Sequence, residues 1–129
     1  MQRLLTTLLC LTILFCSCLS LGDGSDTVIK ETPNSRHTKK AILFLRQAGA
    51  TVGDSYQVSV TDYDKKFDTT QVGNTFTVDS NYGDTGLDTA SMGFAWLGDD
   101  SLQIDYDKKL RTFIQQTNVD GVRISYRPR

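Results

Sequence analysis

The sequence predicts an all-β fold: a small single-domain antiparallel sandwich or open barrel of about seven to eight short strands after an N-terminal signal segment. Three observations lead there. Apolar residues recur at every second position in Tyr56-Val58-Val60, Met92-Phe94-Trp96, Leu102-Ile104-Tyr106 and Val122-Ile124-Tyr126, the period of a strand with one wet face. Polar breaks, most of them containing glycine or aspartate, separate these runs at short intervals. No stretch after the leader sustains the period of an amphipathic helix.

The leader comes first. Met1-Gln2-Arg3 is a short positive start, residues 4–15 are uncharged and rich in Leu, and Phe15-Cys16-Ser17-Cys18 precedes a polar stretch, Gly22-Asp23-Gly24-Ser25-Asp26. This is the three-part shape of an export signal, with an apolar part short for a membrane span. Its ending resembles a bacterial lipoprotein signal, in which a small residue precedes a cysteine that receives lipid and becomes the mature N-terminus. That points to Cys18 as the lipidation site, with Cys16, preceded by the bulky Phe15, as the weaker competitor. An uncleaved anchor over residues 4–21 and an ordinary cleaved signal are the other readings. Residues 1–18 are thus read as signal, 19–26 as a flexible tether and 27–129 as the β-domain, held by lipid to the bacterial cell envelope outside the cytoplasm.

In the domain, residues 27–31 read as a weak first strand and Thr32-Pro33-Asn34-Ser35 as a hairpin turn. From Lys40 to Gln47 both parities are apolar, with Ala41, Leu43 and Leu45 on one side and Ile42 and Phe44 on the other. Such a strand is covered on both faces. Small residues 47–54 form a loop, the strand of Tyr56, Val58 and Val60 follows, and residues 62–73 are a polar connection. Phe76 and Val78 point inward from a short strand over 74–79, and residues 80–91 form a second long, exposed loop. Met92, Phe94 and Trp96 then turn through Gly98-Asp99-Asp100-Ser101 into Leu102, Ile104 and Tyr106, a hairpin on which the rest of the core packs through the only Trp. Residues 110–115 are a strand or a short ambiguous segment, and Asp120-Gly121 signals a tight turn into the last strand.

Composition narrows the chemistry. Fourteen basic against fifteen acidic residues leave the chain nearly neutral, without the footprint of a nucleic-acid binder. All three cysteines, Cys10, Cys16 and Cys18, lie in the leader, so the domain has no thiol for a disulfide, a zinc site or a nucleophile. The stretch Asp79 to Asp88 alternates oxygen side chains with glycines, as calcium loops do, but Ala90 stands where a closing bidentate Glu belongs. His37, the only histidine, sits beside a turn with no serine or thiol motif. Gly49-Ala50-Thr51-Val52-Gly53 lacks the Gly-Lys-Ser/Thr of a phosphate-cradling loop. Tyr56, Tyr106 and Tyr126 fall in phase with core positions, whereas Tyr63 and Tyr82 lie in polar loops and suit contact with a partner.

Several segments in order resemble a family of small bacterial lipoproteins catalogued as a domain of unknown function. They are Thr32-Pro33-Asn34, Phe44-Leu45-Arg46 leading to Gly49-Ala50-Thr51, Gln57-Val58-Ser59-Val60, Gly73-Asn74 before Phe76, Trp96 with Leu102-Ile104-Tyr106, and Val119-Asp120-Gly121-Val122-Arg123-Ile124-Ser125-Tyr126. Members often carry a cysteine before Gly-Ala-Thr, where this chain has Ala48. The resemblance implies a compact envelope domain and no particular activity. The expected function is a non-enzymatic binding or envelope-associated role, with the membrane as partner through the lipid and an envelope protein as a second partner. No catalytic, cofactor-binding or metal-binding residue, small-molecule substrate or nucleic acid is expected. The alternative is a carboxylate-based or calcium-dependent hydrolase using Asp62, Asp64, Asp79, Asp84 and Asp88.

Overall fold

The computed structural model describes residues 25–47 and 53–129, so the leader with Cys16 and Cys18, and most of the Gly-Ala-Thr loop, lie outside the described residues. The described residues form nine strands and no helix: β1 (Ser25–Pro33), β2 (Lys39–Gln47), β3 (Ser55–Asp62), β4 (Phe76–Asp79), β5 (Met92–Gly98), β6 (Ser101–Tyr106), β7 (Arg111–Gln115), β8 (Asn118–Val119) and β9 (Val122–Pro128). One sheet has the order β1-β2-β3-β4-β7 and the other β5-β6-β9-β8. Every neighbouring pair is antiparallel except β6 and β9, which run parallel. The all-β expectation holds, with the two-residue β8 and that one parallel pair as additions. Strand β1 begins at Ser25, inside the stretch expected to be tether, because Asp26 pairs across the ladder with Arg46.

The period-two patterns decide what lies between the sheets. Leu43, Val58 and Phe76 are successive cross-strand partners on the inward face of the first sheet. They share one buried cluster with Phe94, Leu102, Ile104, Val122 and Ile124 of the second. Phe76 is fully buried, with the rings of Tyr106 and Tyr126 at 5.0 and 5.1 Å. Trp96 stands opposite Leu102, half-buried at the rim of this core. Its indole Nε1–H donates to the Thr32 carbonyl at 2.9 Å, and Lys30 Nζ donates to the Phe94 carbonyl at 2.9 Å. These two bonds join the edge strands β1 and β5, so neither presents a fully open row of backbone groups there.

Ile42 and Phe44 face the other way and are also fully buried. The segment after β3 covers them and is therefore not the free polar loop that its composition suggests. Phe67 packs on Phe44 at 4.8 Å, Arg46 Nη2 donates to the carbonyls of Thr69 and Gln71, and Asn74 bonds both the N–H and the carbonyl of Val60. Gly73 is needed for this closeness. A Cβ there would meet Gln57 Cβ and the Val58 carbonyl oxygen at 2.9 Å each. The turn between β8 and β9 is the one that Asp-Gly encodes, with φ of 49° at Asp120 and 79° at Gly121.

Candidate functional site

A single row of cross-strand partners runs across the first sheet near the end where the chain enters it: Asp26, Arg46, Ser55, Asp79, Arg111. Side chains directly opposite one another in a ladder lie close enough to pair, and here they do so twice. Arg46 Nε and Nη2 donate to the two oxygens of Asp26 at 3.0 and 2.8 Å. Arg111 Nε and Nη2 likewise grip Asp79 through both oxygens. Burial works against the charge of Asp79, yet the guanidinium and the Asn81 N–H hold its pKa below the usual carboxylate range.

The Arg111 guanidinium also lies over two aromatic rings, Tyr82 at 4.2 Å and Phe113 at 4.7 Å from the centroids. Both rings remain open to solvent, Tyr82 at 85% and Phe113 at 57% exposure. Neither owes its position to burial. Phe113 has no ladder partner because a bulge sets Ile114 opposite Thr77 and Thr112 opposite Val78, which re-aims the extra side chain. Tyr82 is carried on three consecutive residues in the left-handed region, Asn81, Tyr82 and Gly83, at φ of 50°, 61° and 85°. A tyrosine there costs on the order of 1–2 kcal/mol relative to right-handed backbone. The turn is held by Asp79 Oδ1 accepting from the Asn81 N–H, Ser80 Oγ accepting from the Gly83 N–H, and the Ser80 carbonyl accepting from the Thr85 N–H.

At the opposite end the turns at 34–38 and 98–100 lock together. Asn34, 1% exposed, donates from Nδ2 to Thr38 Oγ1 and the Asp99 carbonyl, while its Oδ1 accepts from the N–H groups of Thr38 and Lys39. Asp99 accepts from Ser35 Oγ–H and the Arg36 N–H and pairs with the Arg36 guanidinium at 3.0 Å. Beside this lock His37 stands edge-on to Tyr63, 5.1 Å between centroids, and Tyr63 is exposed.

The carboxylates of the hydrolase alternative do not converge. Asp62 binds Lys39 at 2.6 Å at the Asn34 end, Asp79 binds Arg111 at the other, and Asp88 bonds the Ala90 N–H and the Ser91 hydroxyl. Asp64 and Asp84 are exposed. Among the described residues no three His, Cys, Asp or Glu side chains are placed to hold a metal ion together. A cavity of about 50 Å³ lies under residues 65–72, lined in part by Ser59, Thr61, Lys65, Phe67 and Asn74. It is far smaller than ligand pockets of about 300–1,000 Å³. Of the residues singled out from the sequence, Tyr56, Tyr106 and Tyr126 pack in or against the core, and Tyr63 and Tyr82 are exposed. Arg111 and Phe113 carried no sequence signal of their roles, whereas Asn34 and Asp99 fell in expected turns with no sign that the two turns would bond to each other. The failure of Arg-Thr-Phe-Ile-Gln to alternate was the one readable trace of the bulge.

The ion pairs imply a pH response. The Ser35 hydroxyl and the Arg36 N–H and guanidinium lower the Asp99 pKa against the effect of burial, and Lys39 lowers that of Asp62. A folded-state pKa below the unfolded value, about 3.9 for Asp, gives stability that is present above that value and lost as pH falls through the folded one. Thermal midpoints followed by circular dichroism should therefore drop below about pH 4. Asp99→Asn should be less stable at neutral pH and lose less on acidification; an unchanged acid slope would remove Asp99 from this account.

With the geometry in place, comparison with known proteins adds no relative: no family model, curated protein or solved structure matches the chain.

Proposed function

We propose that the chain is an exported bacterial envelope lipoprotein, anchored by lipid on Cys18, whose β-sandwich is a non-enzymatic binding module for another envelope protein. The observation that carries this reading is Ser17-Cys18 closing an apolar leader with only six residues between Cys18 and β1. The leader resembles an export signal whose cysteine takes lipid, and the small-lipoprotein resemblance points the same way. A binding role is supported by Tyr63, an aromatic side chain that stays exposed yet is set edge-on to His37, the arrangement of contact residues in interfaces.

Fractionation of the envelope tests the anchor. Cys18→Ala should release the domain into the soluble envelope fraction, and the unsubstituted protein should yield a diacylglyceryl-modified N-terminal peptide beginning at Cys18. A variant that still sediments with membranes and keeps residues 1–17 would give the anchor to residues 4–21 instead. Photo-crosslinking from position 63 in intact cells should then capture a protein, and recovery of uncrosslinked lipoprotein alone would count against a partner at that end.

A further inference from the structure

We infer that the Tyr82 end of the sandwich rests on the bilayer surface, with the Tyr82 and Phe113 rings in the headgroup layer and the Tyr63 end directed away. This rests on the lipidation of Cys18 proposed above and adds an orientation to it. Chain length and entry point carry the argument. Seven steps along the chain separate residue 18 from residue 25, a reach of at most about 25 Å. The chain enters at the same end of the sheet as the Asp26-Arg46-Ser55-Asp79-Arg111 row. Four strand spacings of about 4.8 Å put Arg111 some 19 Å sideways from Asp26, so a modest lean brings Tyr82 to the surface without stretching the tether. The Tyr63 end is about 23 Å further along β3, at about 3.3 Å per residue.

The chemistry suits a lipid interface. Tyrosine collects at headgroup depth, where its ring meets acyl carbon and its hydroxyl meets water. Arg111 enters already neutralised by Asp79, so the patch does not carry a bare charge into the layer. Exposed Lys108, Lys109 and Arg129 at this end are offset by Asp84, Asp88 and Asp107, so docking does not need anionic lipid. A chain already held at the surface makes even a weak contact effective, because the second contact is intramolecular.

The test uses the processed lipoprotein in phosphatidylcholine vesicles. Under this reading it has no free cysteine, so Asp84→Cys and His37→Cys each give one site for a fluorescent label. Lipids carrying a nitroxide on the headgroup should quench the label at 84 severalfold more than the label at 37. Tyr82→Ser with Phe113→Ser should erase that difference while the protein still floats with the vesicles. Equal quenching at both positions in floating protein would overturn the orientation and leave lipidation standing. Failure to float would remove lipidation and the orientation together. Photo-crosslinking from position 82 in cells to a protein instead of lipid would reassign the patch to that protein.

Discussion

Phe76→Ala should bring the domain to the edge of unfolding. Phe76 has no exposed surface, sits where β4 crosses the middle of the core, and packs against Tyr106 and Tyr126 from the opposing sheet. Removing its ring loses the transfer free energy of the buried carbons and leaves a hole that strands on both sides are too constrained to fill, a cost of about 4 kcal/mol. A domain of this size has about 5–10 kcal/mol of stability, and no cysteine in the described residues offers a disulfide to hold the remainder. The melting midpoint should fall by about 20 °C. Phe113→Ala supplies the control: the same atoms leave an exposed, bulged position, and the midpoint should move by no more than a few degrees. Equal losses in the two variants would show that the core has been misplaced.

Asn34→Ala should have the second largest effect, through a different mechanism. The buried amide makes four hydrogen bonds in a turn whose other residues, 35–38, are exposed, two of them from the N–H groups of Thr38 and Lys39 leading into β2 and one to the Asp99 carbonyl across the gap between the sheets. Truncation removes the partner of all four groups, at about 1–3 kcal/mol for each one that cannot rehydrate, and since the surrounding turn is partly open to water a total near 3 kcal/mol is expected. Ser35→Ala removes one exposed bond to Asp99 from the same turn and should cost far less. Urea unfolding followed by Trp96 emission measures both. A similar midpoint for the two variants would mean that water replaces the amide and that the turns do not depend on each other through it.

The parts of the fold that could be read from residues alone were those with a local cause. Period two placed the inward faces of β3, β5, β6 and β9; the doubly apolar run of β2 announced cover on both faces; Asp120-Gly121 specified its turn. What covers the outer face of β2 could not be read, because Phe67 and Gly73 act there through contacts with residues 23 and 16 positions away, Phe44 and Gln57. The candidate site was half legible. A tyrosine in a polar loop declares that it is free of the core, which picked out Tyr63 and Tyr82. That Arg111 would lie between Tyr82 and Phe113 depends on the register of β4 against β7, set by a bulge that leaves no mark beyond a broken alternation.

The placement of β9 also has a consequence for how the chain is made. Its seven residues form one of the two interior strands of the second sheet, parallel to β6 on one side and antiparallel to β8 on the other. A nascent chain that ends before Val122 has β5 and β6 but no strand to continue their sheet, and Leu102 and Ile104 lack their ladder partners Ile124 and Tyr126. Parallel pairing across a long excursion through the other sheet is slow to form, since loop closure must precede any gain in contacts. At about 5–20 residues per second, most of the chain leaves the ribosome before the sandwich can close.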